Sequence, residues 1–578
     1  MKLKCIISVL TAAAALSCGT AAQALPVENT GYTFYTDSHP QTWYSDGTLQ
    51  LGNNYNAGSY WRSASPVCSY LTDCGSGVIM RFQYASLHVG YSYFSKNSPY
   101  MSIVADTYYA EDQRDIAQTV GGYLVEYYNR DYDILGSRII PIELPLFGGF
   151  YSSDKYYFIV TGQENPECRD DKEVIRVTKY DKSWNRLSSA SLYGENTSIP
   201  FDAGSLRMGS AGDWLIVRTC HEMYSGHQAN LSFQMNMETD SVTQVISEVA
   251  NANRGYVSHS FNQFVRIENN RIAAVDHGDA YPRSIVLTEY QKDLTDGSFV
   301  GEYITGCNVG RSAYDMCSTV DVLTIPGDIG NNNTGVNVGG FEISDTSYLI
   351  AGAQVCDPEK FCERTASSSC ARVDMAKNAF IASVDKQTHE VSVKFLTDIT
   401  DPDANGVQTP HLVKLNDNKF IVIWAEIKDE DQTVTYCAQL DGRGNVVGDV
   451  HSFNGDISDC EPVVIVDKIV WYVWWADTRT DFYEVDTNDL SNVKIVYNDS
   501  ADYGSGICGD LDGDTVVTSS DALAMLQKSV SEYYKNDTVL RIADVNRDGE
   551  IDSADALETL RFSVGLSDNT AIGNKTVQ

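Results

Sequence analysis

At 578 residues the chain is longer than one hydrophobic core usually serves, so several domains or one large repeat architecture is expected. Its formal charge of -36 sets it against phosphate backbones and anionic lipid, which argues against nucleic-acid and membrane partners. Beyond the first residues no stretch is apolar enough to cross a bilayer, and the ending GNKTVQ carries no anchor signal.

Lys2 and Lys4 precede the apolar run CIISVLTAAAALSC, too short to span a membrane, and Ala22, Gln23 and Ala24 follow as a small-residue cleavage pattern. This predicts a secretory signal peptide over residues 1–24 and a protein that works outside the cell. A lipoprotein signal at Cys18 fits less well, because the leucine of ALSC stands one place out of the usual box. Of fourteen cysteines, Cys5 and Cys18 leave with the signal. The close pairs Cys68 with Cys74, Cys307 with Cys317 and Cys356 with Cys362 read as loop staples in an oxidising setting, and none has CxxC metal spacing.

From about residue 145 to 476 one pattern recurs: a small or polar entry, a short strand, a turn, then a strongly apolar strand. The copies are GGFYSSDKYYFIVTG, GSLRMGSAGDWLIVRTC, HSFNQFVRIENNRIAAVDHG, GGFEISDTSYLIAGAQ, PHLVKLNDNKFIVIWAE and EPVVIVDKIVWYVWWAD. The gaps between them hold a second strand pair, such as VIRVTKYDKSWNRLSSASL, so each unit has the four strands of a propeller blade. Six copies, with a seventh from the Tyr-rich region YTFYTDSHPQTWYSDG through YMSIVADTYYAED, predict an all-β body over residues 27–500: a β-propeller of about seven four-stranded blades. A stacked pair of sandwiches is the alternative, and it leaves the repeated hairpin unexplained.

In a propeller the first strand of each blade starts near the axis, and the second strand returns to the same face. The starts carry His259, His411 and Glu461; the returning ends carry His221, Glu222 and His227, then Asp276, His277, Asp279 and Arg283, then Glu426, and finally Asp477 and Arg479. These polar groups are expected to converge on one face, and five of the nine histidines fall among them. Histidines with carboxylates are the residue types that exchange protons or hold a metal, so a further metal in the propeller is carried as an expectation, and an arginine suits the carboxylate of a uronic acid. Each such residue taken singly also suits a structural role at a strand end. The 35 tyrosines fit β-strands by propensity, although NYNAGSYW and YSYF also offer stacking faces for sugar rings.

Near the end the composition changes. The stretch DVNRDGEIDSAD places Asp544, Asn546, Asp548, Asp552 and Asp555 at positions 1, 3, 5, 9 and 12 of a calcium loop, with Gly549 at position 6 and the Glu550 carbonyl at position 7. Clustered carboxylates repel one another unless a cation neutralises them. A second copy upstream, DLDGDTVVTSSD, offers Asp510, Asp512, Asp514, Thr518 and Asp521, with Val516 at the carbonyl position and Thr515 where glycine is expected. Both loops run into matching helical patterns, DALAMLQKSV and DALETLRFSV, with Leu523 and Leu526 answered by Leu557 and Leu560.

This duplicated segment resembles a type I dockerin, the small module by which cellulosome enzymes and related secreted proteins attach to cohesin modules of a scaffoldin. The resemblance covers about residues 507–566 and rests on both loops and both helices. It implies a small α-helical domain, two bound calcium ions and a cohesin partner, chosen with the help of Ser519 and Ser520 in the first copy and Ser553 and Ala554 in the second. Residues 567–578 are expected to be a disordered tail. The resemblance also implies a polysaccharide-active cargo within a cell-surface or released cellulosome complex: a plant polysaccharide hydrolase or lyase, with a non-catalytic glycan-binding or protein-interaction propeller as the alternative. A lyase would use a histidine base with Arg283 or a metal, whereas a hydrolase would use two carboxylates from Glu426, Glu461 and Asp477.

Overall fold

The structure is a computed structural model. It describes residues 67–84 and most of 122–499, apart from 142, 203, 247–255, 298, 301–319, 366–374, 430–431 and 476–478. It also describes short pairings at Thr42–Trp43 and Leu49–Gln50, and 508–510, 517–529, 543–548, 551–567, 569 and 572–573 of the tail.

Seven antiparallel sheets of mainly four strands form the body, the β-propeller read from the repeats. Their first strands are Ser69–Asp73, Leu146–Ser152, Arg207–Ala211, Ser260–Glu268, Val336–Ile343, His411–Asn416 and Val463–Ile465. Each pairs with a more apolar second strand, as Trp214–Glu222 does in the third blade and Lys468–Trp475 in the seventh. The six repeat copies are blades two to seven. The first blade comes from Ser69–Tyr84, within the Tyr-rich region expected to supply it, and from Gly122–Pro141 beyond it; the two Tyr-rich stretches that bound that region lie almost wholly outside the described residues.

Neighbouring first strands pack side by side around an axis, so their spacing limits side-chain size. A Cβ on Gly340 would sit 2.6 Å from Leu412 Cβ, and one on Gly149 would sit 2.7 Å from Leu206 Cδ2, which explains the glycine pairs in two of the copies. The hydrophobic clusters lie between adjacent blades, joining Phe158 and Val160 to Leu215 and Val217, for example.

Each described sheet is built from consecutive strands, so the ring closes through side chains. Leu71, Ile79, Tyr128 and Tyr132 of the first blade share one core with Trp471, Tyr472, Phe482 and Tyr483 of the seventh. Tyr472 donates to Gln83 Oε1 at 2.9 Å, Tyr132 donates to Glu484 at 2.9 Å, and the Cys68 N–H donates to Asp459 Oδ2 at 2.6 Å. Beneath this seam the buried Arg81 pairs with Glu126 at 2.5 Å and lies 4.7 Å over the Tyr472 ring.

A short helix, α1 (Pro358–Thr365), lies between two strands of the fifth blade; Asp357 caps it by accepting from Lys360 N–H, with proline at the first position. In the tail, α2 (Ser519–Ser529) and α3 (Ser553–Ser563) pack on each other through Met525 and Thr559.

Two expectations are corrected. Cys68 and Cys74 are free thiols at opposite ends of one extended strand, about 20 Å apart at 3.3 Å per residue, so no disulfide joins them. Cys356 and Cys362 are free as well: Cys362 Sγ faces Gly327, while Cys356 packs on Val355, Phe361 and Met375. Cys307 and Cys317 lie outside the described residues. Of residues 567–578, Ile572 is buried with Cys508 and Met525, and Gly573 N–H donates to Cys508 O at 2.8 Å.

Removing one partner of the seam's ion pair leaves a buried charge. Glu126→Ala is expected to lower stability by about 3–5 kcal/mol, whereas the double change Arg81→Met with Glu126→Leu should lower it far less. Urea unfolding monitored by tryptophan fluorescence checks this; equal losses in both variants would contradict the assignment.

Candidate functional site

Alternate residues of the first strands face the axis. Five of the seven blades place a charge on or just before this strand, Arg207, Arg266, Glu342, Lys414 and Glu461, and all but Arg207 line one cavity of about 260 Å³ together with His411. Arg207 Nε donates to Glu461 Oε1, Arg266 Nη2 donates to Glu461 Oε2 at 3.2 Å, and Arg266 Nε donates to Glu342 Oε1 at 2.9 Å. One arginine therefore bridges two carboxylates from different blades.

Those carboxylates are driven apart in acidity. Burial would raise Glu461, but Arg207 and Arg266 outweigh it and hold the carboxyl down at about 2. Burial dominates at Glu342 and raises it, against the pull of Arg266. Nearby Asp459 is raised to about 7 by burial, although Cys68 N–H and Ser69 hydrogen-bond to it. His411 Nε2 donates to Ser458 O at 2.7 Å, so its Nδ1 carries the lone pair; burial lowers its affinity for a proton and keeps the ring neutral. An ionised carboxylate, two carboxyls shifted towards the acid form and a neutral imidazole form the residue set of proton-transfer chemistry.

A second cavity of about 270 Å³ is lined by Tyr70, Leu71, Thr72, Phe150, Tyr151 and Ser152. It offers aromatic faces, whereas the tyrosine groups singled out in the sequence lie outside the described residues.

The expected polar residues divide into groups. His411 and Glu461 meet at the axial cavity. His259 joins His227, Ser258 and Asp279 on the rim between the third and fourth blades: His227 Nε2 is 2.6 Å from Ser258 Oγ, and His259 Nε2 is 3.1 Å from His227 Nδ1. His259 Nδ1 is 2.9 Å from Asp279 Oδ1, a close contact that is not aligned as a hydrogen bond. His221 is buried against Thr197 Oγ1 at 2.7 Å, and His277 is buried beside Phe261 and pushed down to about 3, by burial first and then by Arg283 and Lys377.

Asp276 is paired with Arg218. Arg283 donates to the carbonyls of Asp279, Pro326, Asn331 and Asn333, which makes it an organiser of the neighbouring loop and leaves little for a substrate carboxylate. Glu426 pairs with Lys428 on the second strand of its blade, away from the axis, and Asp477 lies outside the described residues. Among the described residues no three His, Cys, Asp or Glu side chains gather as a metal cage. Sequence reasoning passed over Arg207, Arg266, Glu342 and Asp459. The available signal for Arg266 and Glu342 was a charge at the inward position three residues before the turn, as in RIENN, EISDT and KLNDN.

In the tail, Asp510, Asp521 and Asp555 are buried carboxylates. Burial lifts the Asp555 carboxyl above its ordinary range and Asp544 and Asp548 lift it further, while the N–H groups of Asp552 and Asn546 oppose the shift. An oxygen-only set under such mutual repulsion fits calcium. Asp544, Asn546, Asp548, Asp552 and Asp555 would hold one ion and Asp510, Thr518 and Asp521 part of another; Asp512, Asp514, Val516 and Glu550 lie outside the described residues. Ser519, Ser520, Ser553 and Ala554 are exposed at the starts of α2 and α3, as are Leu523, Leu526, Leu557 and Leu560 along them.

The chain is thus a seven-bladed propeller followed by a small helical module. Residues 508–560 match the family model of the dockerin type I domain, and the tail is such a module. Dockerin type I domains bind calcium and imply a cohesin partner and docking of the cellulosome type, typically outside the cell. A stretch of 71 residues is 35% identical to a multidomain esterase of Ruminococcus flavefaciens, covering 12% of this chain and 9% of that protein. For the body, the β-propeller domain of the trilobed protease of Pyrococcus furiosus matches at 11% identity and a TM-score of 0.33, over 74% of this chain and 97% of that one. A thermostable family-43 glycoside hydrolase matches at 10% and 0.27, over 54% and 95%. A subtype N10 neuraminidase-like protein of A/little yellow-shouldered bat/Guatemala/060/2010 matches at 8% and 0.32, over 64% and 94%. At these scores the likenesses carry no argument about activity. No helix among the described residues is long and apolar enough to cross a membrane.

Two carboxyls set opposite pH dependences. Glu461 sits at about 2 when folded, so its stabilisation is present above the unfolded value of about 4.3 and is lost as pH falls towards 2. Asp459 sits at about 7, so stability declines as pH rises from about 3.9 to 7. Urea unfolding between pH 4 and 8 should show that decline in the parent and a flatter profile in Asp459→Asn; identical slopes would remove Asp459 from the account.

Proposed function

We propose that the chain is a secreted subunit with a signal peptide over residues 1–24, a propeller over 27–500 that hydrolyses plant polysaccharide, and a dockerin from 507 that binds a scaffoldin cohesin with two calcium ions. The observation that carries the catalytic reading is that Glu461 and Glu342, from different blades, share one arginine in one cavity, with two arginines lowering Glu461 and burial raising Glu342. Glu461 is the ionised carboxylate that acts as base or nucleophile, and Glu342 is the proton donor to the leaving sugar oxygen. His411 and Arg207 position Glu461. A lyase reading loses support because Arg283 spends its donors on backbone carbonyls. The aromatic cavity at Tyr70, Phe150 and Tyr151 favours a second reading, glycan binding without turnover.

The full chain in calcium should release saturated sugars from at least one member of a plant polysaccharide panel, read by mass. Glu461→Gln and Glu342→Gln should lower kcat/KM by about 100-fold or more while glycan affinity stays within a few fold. Products absorbing in the ultraviolet would mean a lyase, and binding without products would leave the second reading.

For docking, charged replacements at Ser519 and Ser520 alone should leave much cohesin binding, because Ser553 and Ala554 offer the duplicate face; replacing all four should abolish it. Calorimetry in which the first pair alone removes binding would mean one docking pose. Asp544→Ala or Asp548→Ala should abolish calcium binding at the second loop.

A further inference from the structure

We propose that His227 and His259 form a two-histidine site for a borderline divalent transition metal ion of the zinc class, on the rim between the third and fourth blades. The site is separate from the calcium loops, which offer only oxygen, and from the axial cavity.

The first argument is the spacing. His227 Nδ1 and His259 Nε2 face each other at 3.1 Å. Two imidazole nitrogens bound tetrahedrally to one zinc ion at about 2.0–2.1 Å stand about 3.3 Å apart, so the rings are within a few tenths of an ångström of a chelating pair. The second argument is what holds the rings from behind. His259 Nδ1 rests 2.9 Å from the buried carboxylate of Asp279, and His227 Nε2 lies 2.6 Å from Ser258 Oγ. Metal-binding histidines are backed through the nitrogen that does not bind; His227 has a hydrogen-bonded hydroxyl in that place, and His259 has a carboxylate within reach, although that contact is not aligned as a hydrogen bond.

The backbone adds a third observation. His259 has φ +50, in the left-handed region that a non-glycine residue rarely adopts, and its N–H donates to Gln228 O at 2.8 Å. Strain of this kind persists where the surrounding structure over-determines a side chain's position. Both histidine rings are partly exposed, which leaves open positions to water or to a ligand oxygen. Two protein ligands are fewer than a structural zinc site has, so the ion would be exchangeable and able to take an oxygen ligand from solution. The competing account is a proton in the same place, a plain hydrogen bond between the rings.

The test uses the full chain in excess calcium, so that the oxygen sites are filled, and titrates zinc against a chromophoric chelator. One zinc per chain is expected beyond any bound by a His227→Ala, His259→Ala double variant. Each single variant should weaken binding at least tenfold, and Asp279→Asn should weaken it 10–100-fold with both rings kept. His451→Ala should bind as the parent does. X-ray absorption of the zinc-loaded parent should give two imidazole nitrogens and oxygens in the first shell, and it decides the matter even where a variant fails to fold. Equal zinc binding in parent and double variant, or a first shell without two imidazoles, overturns the site and leaves the hydrogen-bonded pair.

Discussion

Closure of a seven-sheet ring, which among the described residues runs through side-chain packing and side-chain hydrogen bonds, is the constraint on which the rest of the molecule depends. Each described sheet is contiguous in sequence, so the first and seventh blades must hold together by packing Tyr128 and Tyr132 against Phe482 and by hydrogen bonds from Tyr472 and Tyr132. Once the ring is shut, the first strands have no freedom to spread. Glycine is then required where a strand approaches its neighbour, as at Gly340 beside Leu412, and inward side chains from separate blades are forced into one space.

That space is the unusual part of the chemistry. Burying charge is unfavourable unless it is paired, and Arg207 and Arg266 pair with Glu461 and Glu342 among four different blades around the axis. Pairing is uneven: Glu461 receives two arginines and Glu342 shares one. The same burial therefore leaves one carboxyl ionised and raises the other. Asp459, tied to the seam through Cys68 N–H, links this electrostatic balance to ring closure itself.

The rim between the third and fourth blades uses polar residues differently. Arg283 gathers four backbone carbonyls and His221 is locked to Thr197, so these groups brace loops that carry no regular ladder. His227 and His259 are both fixed and partly open. The tail stands apart in kind, with oxygen ligands spaced along a local loop and two leucine-bearing helices presenting the same surface twice.

What the sequence determined by itself was local and repetitive. The recurring hairpin specifies blades because period-two alternation and turn spacing act within about 20 residues, and the dockerin ligands are legible because a calcium loop draws its oxygens from twelve consecutive residues. His411 and Glu461 were visible as polar starts of apolar strands. Which carboxylate meets which arginine was decided by tertiary structure alone, since Arg207 and Glu461 are brought together across most of the ring. The same holds for the thiols: Cys68 and Cys74 are close in sequence, yet an extended strand separates them, because proximity along the chain becomes proximity in space only where the backbone turns.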